Sequence, residues 1–112
     1  MQIKGKLKEK IVMKKIVLLC SAGMSTSMLV KRMQAAAAEE NYECEIAAYP
    51  MAEATSKAAD ADVVLLGPQV SFNLSKVQSQ LPDKPVAAIE MRMYGRMDGK
   101  GVLGMAKTLM GE

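Results

Sequence analysis

Cys20 stands where an unbroken apolar run, Ile16-Val17-Leu18-Leu19, gives way to Ser21-Ala22-Gly23-Met24-Ser25-Thr26-Ser27. A thiol at the end of a buried strand, followed by small residues and a helix start, is the arrangement needed to carry a phosphoryl group on sulfur. A turn from strand into helix exposes several main-chain N–H groups, with the positive end of the helix dipole behind them. Such a nest holds a dianion without any charged side chain. Small residues at Ser21, Ala22 and Gly23 let the backbone come close, and hydroxyls at Ser21, Ser25, Thr26 and Ser27 can add donors. The same field favours a thiolate over a thiol. One set of amides would therefore activate the nucleophile and stabilise its product.

A lone cysteine at a strand end is more often a small buried hydrophobe. Four hydroxyl residues and a glycine within the next seven positions argue for a functional thiol, because a core position would not be followed by so polar a turn. Cys44 lacks this setting. It lies in a strand-like stretch between Glu43 and Glu45 and reads as structural. The 11 methionines read as core fillers. Tyr94-Gly95-Arg96-Met97-Asp98-Gly99 reads as a surface turn, and Gly67-Pro68 as a strand terminator.

The elements that must hold Cys20 follow from periodicity. Lys14–Leu19 is a strand buried on both faces, since its apolar run is continuous and β-branched in part. Ser25–Glu40 is a helix, with Leu29, Met33, Ala36, Ala37 and Glu40 at helical spacing and Ser25 or Thr26 as its N-cap. Glu43–Tyr49 is a second strand, followed by a short helix over Met51–Ala59 that starts just after Pro50. Asp62–Leu66 is a third strand. Ser71–Leu81 is a helix spaced by Phe72, Val77 and Leu81. Lys84–Ile89 is a fourth strand, with Pro85 at its entrance suiting an edge. Glu90–Gly99 is expected to be a loop and Gly101–Met110 a final helix.

This alternation predicts an α/β single domain: a four-stranded parallel sheet with right-handed crossovers and helices on both faces. The expected strand order is 2-1-3-4, so the order reverses between strands 1 and 3. Ligands collect at the carboxyl ends of strands beside such a reversal. Cys20 and Gly67-Pro68-Gln69 flank that crevice.

Composition bounds the alternatives. A chain of 112 residues is the size of one domain and can bury a single core. No apolar stretch reaches the roughly 20 residues of a membrane span, which points to a soluble protein. Net charge is +3, yet residues 13–112 hold 11 basic and 11 acidic residues. The body is neutral and gives no electrostatic reason to expect nucleic acid. Lys4, Lys6, Lys8 and Lys10 concentrate the positive charge in residues 1–12, which lack the apolar region of a signal peptide. Met13 would make a natural start, so 1–12 is expected to be an N-terminal extension outside the fold and 13–112 the domain. Two cysteines and no secretion signal suggest free thiols in a reducing cytoplasm. There is no histidine, which removes histidine acid–base catalysis, Cys–His pairs and most zinc sites. No metal ligand set is visible, and no cofactor is required.

Lys15-Ile16-Val17-Leu18-Leu19-Cys20-Ser21-Ala22-Gly23-Met24-Ser25-Thr26-Ser27 resembles the phosphorylation site of enzyme IIB components of the bacterial phosphoenolpyruvate-dependent sugar phosphotransferase system, lactose/cellobiose/chitobiose class. Ala61-Asp62-Val63-Val64-Leu65-Leu66-Gly67-Pro68-Gln69 and the Tyr94-Gly95 to Asp98-Gly99 stretch also match that class. The resemblance runs across 13–112. It implies that Cys20 takes a phosphoryl group from a histidine of enzyme IIA and passes it to a sugar carried by the membrane-embedded enzyme IIC. It implies a phosphate cradle from the backbone of Ser21, Ala22, Gly23, Met24, Ser25 and Thr26. A β-disaccharide such as cellobiose, chitobiose or lactose follows from the class alone.

The competing reading is a low-molecular-weight tyrosine phosphatase or related arsenate reductase, which shares the sheet topology and a strand-end cysteine loop. Those phosphatases hold an arginine six residues after the cysteine, where its fork clamps the transferring phosphoryl group. Here that position is Thr26. They also need a carboxylic acid, for which Asp98 is the one loop candidate. A nucleotide-binding or receiver-like module would need a glycine-rich fingerprint or a strand-end aspartate, and the chain offers neither.

Overall fold

The structure is a computed structural model and describes residues 14–21 and 24–112. The expected extension over 1–12, and Ala22 and Gly23 of the Cys20 loop, lie outside the described residues. Among the described residues there are four strands: β1 (Lys14–Cys20), β2 (Cys44–Pro50), β3 (Val63–Leu66) and β4 (Val86–Ala88). They form one parallel sheet in the order β2-β1-β3-β4. Among the same residues five α-helical segments accompany them: α1 (Met24–Glu39), α2 (Ala54–Lys57), α3 (Leu74–Gln80), α4 (Met91–Gly95) and α5 (Gly99–Leu109). Short 3-10 turns, Met51–Glu53 and Pro68–Asn73, lead into α2 and α3.

The continuous apolar run of β1 is the reason it lies at the centre. Ile16 and Leu18 face one side and join a core with Leu29 and Met33 of α1 and Val102, Leu103 and Ala106 of α5. Val17 and Leu19 face the other side and pack with Ala54 of α2, Val77 of α3 and Leu66. Ile16, Val17, Leu18 and Leu19 are all fully buried. Truncating Leu18 to alanine in such surroundings costs about 2–5 kcal/mol.

Helix α1 is long because Ala35-Ala36-Ala37-Ala38 carries high helix propensity and Leu29, Met33, Ala36 and Ala37 line one buried stripe. It stops where Asn41 takes a left-handed backbone, φ 56°, a conformation asparagine tolerates better than most residues. The expected N-cap is corrected. Met24, Ser25 and Thr26 are already helical, so neither Ser25 nor Thr26 flanks the helix.

Two further expectations are overturned. Phe72 is 82% exposed rather than part of a core stripe. Gly67-Pro68 sends the chain into a 3-10 turn up to Asn73, so α3 begins only at Leu74 and Phe72 never enters its register. The segment expected to be a loop over 90–99 contains α4. Its Tyr94 is buried in the core rather than displayed on a turn. The remaining elements fall within a few residues of expectation, the shifts lying at their ends.

Candidate functional site

Cys20 is the last residue of β1 and lies across from Pro50, the last residue of β2. On the other side, Leu19 pairs with Leu66, and the Gly67 amide donates to the Leu19 carbonyl at 2.9 Å. The cysteine therefore sits at the carboxyl edge of the sheet, at the reversal of strand order. It is 2% exposed, and its Sγ lies 3.8 Å from the Tyr49 carbonyl oxygen. Ser21 is exposed. Helix α1 opens four residues after the cysteine, so its N-terminal end lies next in the chain to the sulfur. The side chains of Met24 and Ser25, like the whole of Ala22 and Gly23, lie outside the described residues.

Thr26 takes another course. It is the one buried polar residue among those described, 1% exposed, and its hydroxyl meets the Tyr94 hydroxyl at 3.1 Å. A hydroxyl buried this deeply must find a partner, and here the partner comes from 68 residues further along the chain. The position that would hold the phosphatase arginine is thus filled by a small core residue. Tyr94 was missed in the sequence because Gly95 and Gly99 give its surroundings the look of a turn. Its phenol was the available signal, since a buried tyrosine hydroxyl calls for a polar partner.

Asp98 is committed to the fold. Its carboxylate accepts from the Gly101 amide at 2.9 Å, capping α5, and its other oxygen lies 3.6 Å from the Arg96 guanidinium. Cys44 is partly buried near the start of β2. Burial pushes its thiol above the ordinary range, and the carboxylates of Glu43, Glu112 and Glu40 add to this. A thiol held protonated makes a poor nucleophile. Among the described residues no three His, Cys, Asp or Glu side chains gather where they could hold a metal, and no helix is long and apolar enough to cross a membrane.

The model of the family described as "PTS system, Lactose/Cellobiose specific IIB subunit" matches residues 15–110. The chain belongs to this family. The galactose-specific EIIB component of Lactococcus lactis subsp. cremoris is 43% identical over 104 residues, covering 87% of this chain and 96% of the relative. The cellobiose-specific EIIB component of Lactococcus lactis subsp. lactis is 42% identical over the same length and coverage. Among solved structures, the cellobiose-specific phosphotransferase IIB component of Borrelia burgdorferi superposes with a TM-score of 0.74 at 36% identity, over 88% of this chain and 93% of that one. The chain is a IIB component of a sugar phosphotransferase system, of the lactose/cellobiose class. As such it works with the other components of that system.

Proposed function

We propose that this IIB component carries its phosphoryl group on the Cys20 sulfur. The thiolate attacks the phosphorus of a phosphohistidine on enzyme IIA; the P–N bond breaks, a P–S bond forms, and the histidine leaves. A hydroxyl of the sugar held by enzyme IIC then attacks the same phosphorus, the P–S bond breaks, and the thiolate is regenerated as the hydroxyl proton departs. The observation that carries this reading is the position of Cys20: the last residue of a central strand, at the switch in strand order, four residues before the 16-residue helix α1 opens. The histidine-free sequence fits a division of labour in which the imidazole belongs to the partner.

Catalysis here is mostly positioning and charge stabilisation, since phosphoryl transfer asks little covalent work of the protein. The backbone from Ser21 through Ala22, Gly23, Met24 and Ser25 to Thr26 supplies the amide donors of the cradle. Enzyme IIA and enzyme IIC both approach the carboxyl edge of the sheet, from the cytoplasm. Residues 13–112 make up the IIB domain and residues 1–12 stand outside it. The sugar is a β-linked disaccharide such as cellobiose, chitobiose or lactose. Near-equal identity to relatives named for galactose and for cellobiose supports the class and selects no member within it.

The test is intact-protein mass spectrometry after incubation with phosphoenolpyruvate, the general phosphotransferase proteins and a IIA partner. One added phosphate that maps to Cys20, and is lost in a folded Cys20→Ser variant, supports the reading. Equal labelling of variant and wild type overturns it.

A further inference from the structure

We infer that Tyr94 is a positioning residue for the Cys20 loop: its hydroxyl, bonded to Thr26 inside the core, fixes the first turn of α1 and with it the main-chain donors that turn supplies. The inference rests on the carrier reading above and deepens it.

Three observations carry it. The Thr26–Tyr94 contact is a hydroxyl pair at 3.1 Å between two residues that are 1% and 6% exposed, so water does not compete for either group. The bond ties the start of α1 to α4, which follows β4 on the far side of β3. The Tyr94 ring is also held against the end of β3: its Cε1 stands 3.6 Å from where a β-carbon on Gly67 would be, and Gly67 itself bonds back to Leu19, next to the cysteine. One side chain thus connects the strand end beside Cys20 with the helix turn beyond it.

The backbone of α4 keeps that side chain in place. The Tyr94 amide donates to the Glu90 carbonyl at 3.0 Å, and the Tyr94 carbonyl accepts from Met97 at 3.1 Å. A phenol has two torsions, both restrained here by burial, so it transmits position where a flexible side chain would not. Phosphoryl transfer is sensitive to such placement, because a displacement near 1 Å in the donors can lower the rate by about 100-fold. Thr26 occupies the position where related phosphatases hold their arginine. In this chain the hydroxyl pair steadies the same turn without adding a cation to it.

The test compares wild type with Tyr94→Phe, Thr26→Val, Thr26→Ser and the double variant Tyr94→Phe/Thr26→Val. Transfer from phosphorylated IIA to Cys20 is followed by rapid quench, with rates referred to the folded fraction seen by circular dichroism. Tyr94→Phe and Thr26→Val should each lower kcat by about tenfold or more with KM unchanged. The double variant should be no slower than the slower single one, since the same bond is lost once. Thr26→Ser keeps the hydroxyl and should stay near wild type. Wild-type kcat in a folded Tyr94→Phe, additive losses, or a Thr26→Ser as slow as Thr26→Val would each overturn the inference.

A second measurement is independent of transfer. The amides of Met28, Leu29 and Val30 bond back into the first turn of α1, and their hydrogen exchange in Tyr94→Phe should speed up about tenfold or more. Unchanged exchange overturns the positioning role even if Cys20 is phosphorylated. Absence of phosphate on wild-type Cys20, with faster exchange in the variant, instead removes the carrier reading alone.

Discussion

Gly99 lies directly against the main chain of Arg32: a β-carbon at Gly99 would stand 2.6 Å from the Arg32 carbonyl oxygen and 2.6 Å from the Arg32 Cβ. The two helices that cover one face of β1 therefore meet at a point where only a hydrogen fits. Gly99 begins α5, so the contact sets how closely that helix approaches α1 over the Ile16–Leu18 face of the sheet.

Gly99→Ala should destabilise the fold by about 1–3 kcal/mol, because backbone atoms cannot move aside as a side-chain tip would. Gly104, in the same helix, has nothing within 4 Å of its β-carbon position. Gly104→Ala should stabilise the protein by roughly 0.5–1 kcal/mol through helix propensity. Urea melts of the two variants check both signs. Equal midpoints for Gly99→Ala and wild type would show that the helices part without strain.

The turn that delivers Gly99 depends on a cap. Asp98→Ala removes the acceptor for the Gly101 amide and should cost about 0.5–2 kcal/mol, whereas Asp98→Asn keeps an acceptor and should lose little. Transfer of phosphate per folded molecule should be unchanged in both. A large loss of transfer in folded Asp98→Asn would give this carboxylate a chemical role, as the phosphatase reading requires.

The same corner shows what the sequence could and could not reveal. The central strand was legible because an apolar run with no polar face has one place to go, between two layers. From it the strand order and the position of Cys20 followed. Helix α4 was not legible: Met91–Gly95 is too short to display a period, and its glycine and polar neighbours carry turn chemistry. Phe72 was misplaced because spacing counts residues and does not register the 3-10 turn that Gly67-Pro68 imposes. The Thr26–Tyr94 bond joins residues 68 apart, and no local pattern announces such a pairing.

Cys44 offers a pH signature. Its thiol is held above the ordinary value of 9.0, first by burial and then by the carboxylates of Glu43, Glu112 and Glu40. As pH rises past the ordinary value, the unfolded chain releases this proton while the folded chain keeps it. Stability is therefore fully present below that value and falls as pH climbs towards the raised one. Tyr42, pushed up by burial and by its bond to Glu112, adds a decline in the same direction at higher pH. In a Cys20→Ser background, iodoacetamide labelling of Cys44 should begin at higher pH than labelling of a free thiol in peptide. Cys44→Ala should flatten the stability slope just above pH 9. Labelling of Cys44 at the pH of a free peptide thiol would contradict this.

The strongest contrast with a phosphatase can be built at Thr26. By spacing alone, an arginine there restores the clamp that turns a phosphate-binding loop into a hydrolase. The site argues otherwise, because Thr26 is 1% exposed and its hydroxyl is bonded to a tyrosine within the core. Thr26→Arg would force a cation into the core and break the bond between Thr26 and the Tyr94 hydroxyl; a loss of about 3 kcal/mol or more is expected. The expected outcome is a variant with a much lower urea midpoint and no turnover of an aryl phosphate. A stable Thr26→Arg protein that hydrolyses aryl phosphates would mean that the turn can rotate its sixth residue towards the sulfur. Retention of phosphate would then depend on the residue type at this position alone, and not on the core contact that now occupies it.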